Sequence, residues 1–500
     1  MLGLAIVALA LAGDVEPGVQ QEPANEPAEE PAEAPEPDDG IVDLGELDAL
    51  PGMPPSVPAP SGPDPGADPD GGPDPTAPSG PPSEASAVAS TPTVQAAGES
   101  SQERFGDIFT GSVRLTGAFL HFDDIPELFP TGDDALFASV FRVIAKRDLG
   151  AHVGFELNYF LDVARLPGGG NATGAFVTAG AAESVYRTPY LRYRFWNDGD
   201  VGGTLGLDRY RFDIRGGPVT VTAGRFPVTY SVSGLLTPND FFAPFAAAAV
   251  NRIYKPGIDG LQVGSPVGKT SSVEVLGALG NDDGGTPTWG RSGLVARAST
   301  VRWGFEWAVL GGKVAERWVA GGSVQGGVGP VGLHGEGHVG VPDTEGDGRD
   351  AEDETRPVHG RLAAGPTLQV GWRGLTLGAE YAYVSDGARR PSDYLTRAQS
   401  RFPDDQPLLA RHYLGANGSI QIVPILTGSV FALVNGNDGS GLTGLSLLYN
   451  VADEADLIAG LFVPWGRDPV ATGDPMLPVR LRSELGASPL TLYLEARAFF

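Results

Sequence analysis

The sequence predicts an all-β fold: a transmembrane antiparallel β-barrel of about 18 strands (roughly 16–20), preceded by a disordered tail. Three observations carry that expectation. From about residue 104 onward, segments of roughly ten to fourteen residues alternate apolar and polar side chains, punctuated by Gly, Asp, Asn and Pro. That length exceeds the usual soluble strand and fits a tilted strand crossing a bilayer. The polar faces carry charges, among them Glu156, Asp162, Arg192, Arg194, Arg211 and Arg215. A dry sandwich core would lose several kcal/mol for each unpaired one, roughly, whereas a wet lumen removes that cost. Closure into a cylinder also satisfies every backbone group within lipid.

In chain order, residues 1–12 come first. MLGLAIVALALA is a short apolar run ending Ala10-Leu11-Ala12, which reads as the core and cleavage site of a secretory signal, although a basic start is missing. The mature chain would then begin at Gly13. Residues 13–103 read as a disordered periplasmic linker. The first hundred residues hold 20 prolines, 19 Asp/Glu and no Lys or Arg. Stretches such as EPANEPAEEPAEAPEPDDG bury too little apolar surface to offset the entropy of ordering. Only IVDLGELDAL, 41–50, is an apolar island. The segment is either a plain spacer or an arm that docks a periplasmic partner. Its proline content argues against a folded plug of the kind found in TonB-dependent transporters.

Residues 104–500 form the barrel. In VGFELNYFLDV, Val153, Phe155, Leu157, Tyr159, Leu161 and Val163 share one face; Gly154, Glu156, Asn158, Phe160 and Asp162 share the other. FTGSVRLTGAF sets Phe109, Val113, Leu115 and Phe119 against Thr110, Ser112, Arg114 and Thr116. Similar segments recur at 135–146, 186–196, 204–215, 219–230, 257–267, 271–280, 293–303, 304–312, 318–328, 332–341, 358–371, 374–385, 409–422, 425–435, 441–450, 456–464 and 478–487. The last, LTLYLEARAFF, places Leu490, Leu492, Leu494, Ala496 and Ala498 opposite Thr491, Tyr493, Glu495, Arg497 and Phe499. No segment carries a helical stripe, and no apolar run reaches the ~18 residues of a spanning helix.

Composition excludes several functions. The protein has 500 residues and a formal charge of −28, most of it in the tail; after residue 100, 43 acidic residues face 34 basic ones. Nucleic-acid binding needs the opposite charge. With no cysteine, disulfides and Cys-based metal or redox sites are impossible. No G-x-S-x-G, P-loop or H-E-x-x-H motif is present, so an enzyme is not expected. GGGNATG, 168–174, contains the sequon Asn171-Ala-Thr173 without the context of a phosphate loop.

The densest charge lies on YLRYRFW and LDRYRFDIRG. Arg192 and Arg194 share a face, as do Arg209, Arg211, Asp213 and Arg215. With Glu156 and Asp162 they are the expected pore-lining set. They would either select anions, as charged rings do, or pair with one another and only brace the wall. The long partly apolar connection SGLLTPNDFFAPFAAAAVNRIYKPG, 233–257, would either fold inward as a constriction, with Asn239, Asp240, Arg252 and Lys255 at its edge, or cap the mouth. HGEGH puts His334, Glu336 and His338 on one face; without a third ligand in view, a polar lumen patch is the expected reading and no metal or cofactor is assigned. The acid-rich 343–354 reads as a solvated outer loop.

The final Phe500 after an alternating strand resembles the C-terminal sorting signal of bacterial outer-membrane barrels, with Leu494 and Leu492 matching its apolar positions and Ala498 departing from it. VTAGRFPVTYSVSGLLTPNDFF, 221–242, with Gly224-Arg225, and VNGNDGSGLTGLSLLYNVADEADLIAG, 434–460, are similar to segments of large porin-like families. The resemblance implies an outer-membrane porin-like channel for passive or weakly selective diffusion of small hydrophilic solutes, anions among them. Its partners would be outer-membrane lipid, the solutes in transit and, in a homo-oligomer, further copies. The competing reading is a structural or export component whose acidic tail docks a periplasmic partner. One conflict stands. Counting strands back from Phe500 through 486–489 puts the long connections 231–257, 342–358 and 386–408 on the periplasmic rim, where such barrels keep short turns. The segments 186–196 and 478–487 are the suspect strands.

Overall fold

A computed structural model describes residues 108–122, 132–165, 184–244, 255–282, 284–343, 356–474 and 477–500. The leader at 1–12, the linker at 13–103, GGGNATG, Arg252 and most of 343–354 lie outside the described residues. All described residues belong to one compact unit.

The chain forms β1 (Phe109–His121), β2 (Asp133–Leu149), β3 (Val153–Arg165), β4 (Arg192–Asp198), β5 (Val201–Gly216), β6 (Val219–Phe226), β7 (Ile258–Val267), β8 (Ser271–Ala278), β9 (Gly293–Arg302), β10 (Phe305–Val314) and β11 (Arg317–Val328). It continues with β12 (Val331–Pro342), β13 (His359–Val370), β14 (Leu375–Val384), β15 (His412–Val423), β16 (Leu426–Asn435), β17 (Gly441–Ala452), β18 (Ala455–Trp465), β19 (Val470–Asp474), β20 (Leu477–Arg480) and β21 (Leu490–Phe499). A short α-helix, α1 (Tyr394–Gln399), sits between β14 and β15. Eighteen strands pair with their neighbours in antiparallel order and close on themselves, β21 lying between β18 and β1. The expected class is therefore the observed one.

Closure is made by the last strand. Ala498 pairs with Val113 and Leu492 with Phe119, while on its other edge Glu495 pairs with Ile458. Beyond the strand, Phe500 and Gly111 exchange backbone hydrogen bonds of 2.8 and 3.0 Å, and the Phe500 ring stacks on Phe141. The exposure pattern is the reverse of a soluble protein's. Leu490, Leu492 and Leu494 are 39, 56 and 59% exposed, whereas Thr491, Glu495 and Arg497 are at most 5% exposed. The same inversion holds at Leu157 and Leu161 against Glu156 and Asp162. Only a solvent of hydrocarbon makes this favourable, at roughly 25 cal/mol per Å² of apolar surface kept from water. Exposed aromatics mark both edges of the belt: Trp318, Tyr381 and Trp465 at one rim, Trp303, Trp372 and Tyr449 at the other.

Two strand assignments are corrected. Residues 186–196 do not span the barrel: they form a turn at Pro189–Leu191 and the seven-residue β4, which pairs only with Val201–Gly206 at one end of β5. The alternation of Arg and aromatic residues makes a strand there, but β6 already occupies the rest of that edge. Residues 478–487 do not span either. β20 pairs with β19 in a separate hairpin, and Leu481, Leu485 and Ala487 bury themselves in a loop core. Removing these two leaves eighteen spanning strands and resolves the conflict. The long connections 122–132, 166–200, 227–257, 279–292, 343–358, 385–411 and 466–489 now share one rim. The short connections 315–316 and 436–440 also lie there, while the remaining short turns, the start of β1 and Phe500 share the other rim.

Candidate functional site: the inner wall and its inserted loops

The inner wall of β3 and β5 carries the charged ladder. A bulge in β5 sets its phase: Asn158 pairs with Arg209 and Tyr159 with Leu207, leaving Asp208 as the extra residue. Asp208 and Arg209 thus both turn inward, and the lumen face resumes at Arg211, Asp213 and Arg215. Arg209 and Arg211 lie 3.6 and 3.9 Å from Glu156, and Arg211 lies 3.1 Å from Asp213. Thr222 donates a 2.7 Å hydrogen bond to Asp213. Arg215 instead reaches Asp148 at the short-turn rim, at 3.0 Å. Arg192 and Arg194 point inward from β4, opposite Gly206 and Thr204. Asp162 is buried on the inner face of β3, also opposite Thr204. The structure therefore joins Glu156, Arg209, Arg211 and Asp213 into one chain of ion pairs, turns Arg215 to Asp148, and sets Arg192, Arg194 and Asp162 around Thr204 and Gly206. Carboxylates accompany the three arginines from 209 to 215, the paired arrangement rather than a bare cationic ring.

Next to the ladder stands a second pair that sequence reasoning named only as a motif. Arg225 is fully buried and grips Asp259 through both oxygens, at 2.8 and 2.7 Å. Its remaining N–H groups donate to the carbonyls of Leu207 and Thr188. Gly224 before it has φ +117°, and a Cβ there would strike the Tyr210 carbonyl, so only glycine fits. Asp208 is likewise gripped, by Arg142 at 2.7 Å and Arg187 at 2.8 Å.

Residues 227–244 of the long connection turn into the barrel and lie against β11, β12, β14 and β15. Their apolar side chains explain why. Leu235 and Leu236 pack with Tyr413 and Leu409, while Val228, Tyr230, Phe241 and Phe242 pack with Tyr186, Leu310 and Val319. Asn239 donates to the Gly322 carbonyl at 3.0 Å and meets His338 at 3.2 Å. Asp240 and Lys255 pair at 2.5 Å. The Lys255 carbonyl accepts from Arg209, which brings the loop's return leg onto the ladder. HGEGH belongs to the loop's seat. Glu336 accepts from Ser231 Oγ and the Val232 N–H, His338 meets Asn239, and His334 lies 3.3 Å from Glu380.

A second inward loop, 385–411, brings charge that the sequence did not single out. Arg361 of β13 binds Asp405 and, at 3.0 Å, Asp386; Arg317 of β11 binds Asp404 and, at 3.3 Å, Asp405. Arg397 on α1 adds 2.9 Å to Asp386. Arg317 also lies over the Phe402 ring. Gln406 and Thr237 exchange hydrogen bonds of 3.1 and 2.7 Å, tying this loop to the first. Apart from Arg397 and Asp386 within the loop itself, these partners are 25 to 169 residues apart, so no local pattern announces them. The one available signal was an excess of Asp and Arg in a connection too long to be a simple turn.

Burial pushes the Asp404 carboxyl up to about 6, with the Asp405 charge adding and Arg317 opposing. Burial also acts upward on Asp405 and Asp386, but Arg361, with Arg317 or Arg397, outweighs it and holds both low. The raised Asp404 stabilises the docked loop below its unfolded value near ~4, and that contribution is lost as pH rises through about 6. The depressed pair contributes above ~4 and fails as pH falls further. Loop 385–411 is thus expected to dock most firmly between these limits, by on the order of 1–3 kcal/mol over pH 7. Proteolytic nicking in 385–411, normalised to a denatured control at each pH, should be slowest near pH 5; a rate independent of pH contradicts the assignment.

A closed cylinder with an apolar belt outside, charge inside and long loops on one rim defines a transmembrane β-barrel of the outer-membrane type. No family model and no curated protein matches this sequence. Solved structures do resemble it. Pseudomonas aeruginosa OccK2 (OpdF), crystallised in complex with glucuronate, aligns with a TM-score of 0.48 at 10% identity over 79% of this chain and 97% of its own. Acinetobacter baumannii OccAB4 aligns at 0.49 and 9%, covering 79% and 98%. A BenF-like porin from Pseudomonas fluorescens Pf-5 aligns at 0.47 and 12%, also covering 79% and 98%. These are likenesses of architecture.

Proposed function

We propose that the protein is an outer-membrane channel for passive or weakly selective diffusion of small hydrophilic solutes, anions among them. The observation that supports this most directly is the chain Glu156–Arg209–Arg211–Asp213 on the inner face of an eighteen-stranded barrel. Barrels of about 16–18 strands are wide enough for an aqueous path. Charge facing that path costs little in water and acts on ions passing it. On the loop-length rule the long connections face outward from the cell and Phe500 faces the periplasm, together with the linker that precedes β1. The ladder, with Asn239, Asp240 and Lys255 on the loop beside it, forms the narrow passage in this reading; Arg252 belongs to the same connection.

Planar-bilayer recording of the refolded protein tests it. Stable conductance steps are the expected result, and a folded barrel that never conducts would overturn the reading. Arg209→Ala with Arg211→Ala leaves Glu156 and Asp213 in excess, so the anion-over-cation permeability ratio should fall. The fall should be up to roughly fivefold per charge, the Boltzmann factor of a ~1 kcal/mol Coulomb interaction in water. Glu156→Gln should move the reversal potential the opposite way.

A further inference from the structure

Residues 231–236 of the long connection are held against the inner wall by two carboxylates, on β12 and β14. Glu380, on the inner face of β14, accepts three successive backbone N–H groups: Gly234 at 2.6 Å on one oxygen, Leu235 and Leu236 at 2.9 Å on the other. Consecutive N–H groups turned to one point make an anion-binding concavity, and here a wall residue fills it. Glu336, on β12, takes the two preceding donors, Ser231 Oγ at 2.6 Å and the Val232 N–H at 2.7 Å. Five donors from 231 to 236 thus end on two side chains, without any strand pairing. Around the carboxylates the wall is stripped of bulk. Ala363 and Ala382 face inward from β13 and β14, and Gly415 lies beneath Leu235, where a Cβ would come 2.9 Å from a Leu235 methyl. The charge and the small residues are independent features of one landing strip.

We propose that Glu336 and Glu380 are positioning residues: they fasten the loop in the lumen and so set the width of the passage. This deepens the channel reading and rests on it. Five backbone and hydroxyl donors need acceptors wherever they go. With the carboxylates neutralised, water at the long-loop rim is the competing partner and the loop swings outward. The chain has no cysteine, so one reporter thiol gives an unambiguous signal. Ser233 suits it: it lies between the two clamps, is 8% exposed, and its hydroxyl has no hydrogen-bond partner among the described residues.

The experiment measures maleimide labelling of Ser233→Cys in the full-length refolded protein, with heat-modifiable gel migration verifying the closed barrel. Glu336→Gln combined with Glu380→Gln should speed labelling by about tenfold or more, the factor expected when charged hydrogen bonds are lost. Gly415→Leu, which crowds Leu235 from the strand paired with Glu380 and keeps both carboxylates, should act in the same direction. Both variants should admit larger neutral sugars in liposome swelling. Labelling as slow as in the parent, in both variants with the barrel closed, would overturn the clamp. The thiol readout does not require conduction. A silent parent channel would therefore sink the channel reading alone, and faster labelling with an unchanged sugar cut-off would sink the claim that the clamp sets the width.

Discussion

Arg361→Ala is expected to release the 385–411 loop while leaving the barrel closed. The Arg361 side chain is 9% exposed and binds two carboxylates at once, Asp405 through both oxygens and Asp386 at 3.0 Å. Removing one member of a buried pair leaves the other charged and dry, which costs about 3–5 kcal/mol. Two neighbours soften the loss: Arg317 remains 3.3 Å from Asp405 and Arg397 remains 2.9 Å from Asp386. The lower end of that range is therefore expected. Ala388, Tyr394, Leu408, Leu409 and Ala410 also anchor the loop, but a loss at the lower end of that range still raises its undocked population by about a hundredfold. Limited proteolysis should cut within 385–411 in the variant and spare it in the parent, with both proteins still migrating as closed barrels. Arg361→Lys should not rescue docking, because a point charge cannot serve two carboxylates in fork geometry. Equal cutting rates in Arg361→Ala and parent would show that the apolar anchors hold the loop unaided.

The second large effect is expected at Arg225, and it falls on the barrel rather than a loop. This side chain unites four segments. It binds Asp259 of β7 twice from β6, and caps the carbonyls of Leu207 in β5 and Thr188 before β4. Asp259 in turn accepts from the Thr188 N–H at 2.6 Å and from the Tyr210 hydroxyl. After Arg225→Ala, Asp259 keeps these two donors and loses its only ion pair among the described residues. A loss of about 3–5 kcal/mol is expected, read as a lower urea midpoint for unfolding from detergent or bilayer. The double variant Arg225→Met with Asp259→Leu should regain much of it, since replacing a whole buried pair by apolar side chains of similar size is often neutral. If the single variant unfolds at the parental midpoint, the pair is ornamental to stability.

Much of the fold was legible because a strand's side chains alternate strictly. In β3 and β21 that period placed every residue on its correct face from sequence alone, and His334, Glu336 and His338 were rightly grouped. The same period misled at 478–487. Alternation reports which face a residue occupies when it lies in a strand; it does not report whether the strand finds two neighbours. Leu481, Leu485 and Ala487 satisfy their apolar character in a loop core just as well as in lipid. The bulge at Asp208 was also invisible, since an extra residue leaves no mark in a run of polar and aromatic residues. It is what makes Asp208 and Arg209 both face inward and directs them to different partners, Arg142 and Glu156.

The candidate site was legible by composition and not by partnership. Arg209, Arg211 and Asp213 stood out as a charged face. Whether they formed a bare cationic ring or a paired wall depended on Glu156, which lies 53 residues before Arg209 in the chain. Glu380 did not stand out at all. It is one carboxylate in an otherwise apolar strand, LTLGAEYAYV, and its donors come from a loop about 145 residues earlier.

The amino-acid order alone determined that this chain turns grease outward and charge inward along spanning strands, because alternation, segment length and the cost of burying charge are local and additive. Which carboxylate meets which guanidinium, which long connection enters the cylinder, and which apparent strand is left outside it were decided only on closure. Those choices bring together groups far apart in the chain, and their energies exist only once the ring of strands fixes the distances between them.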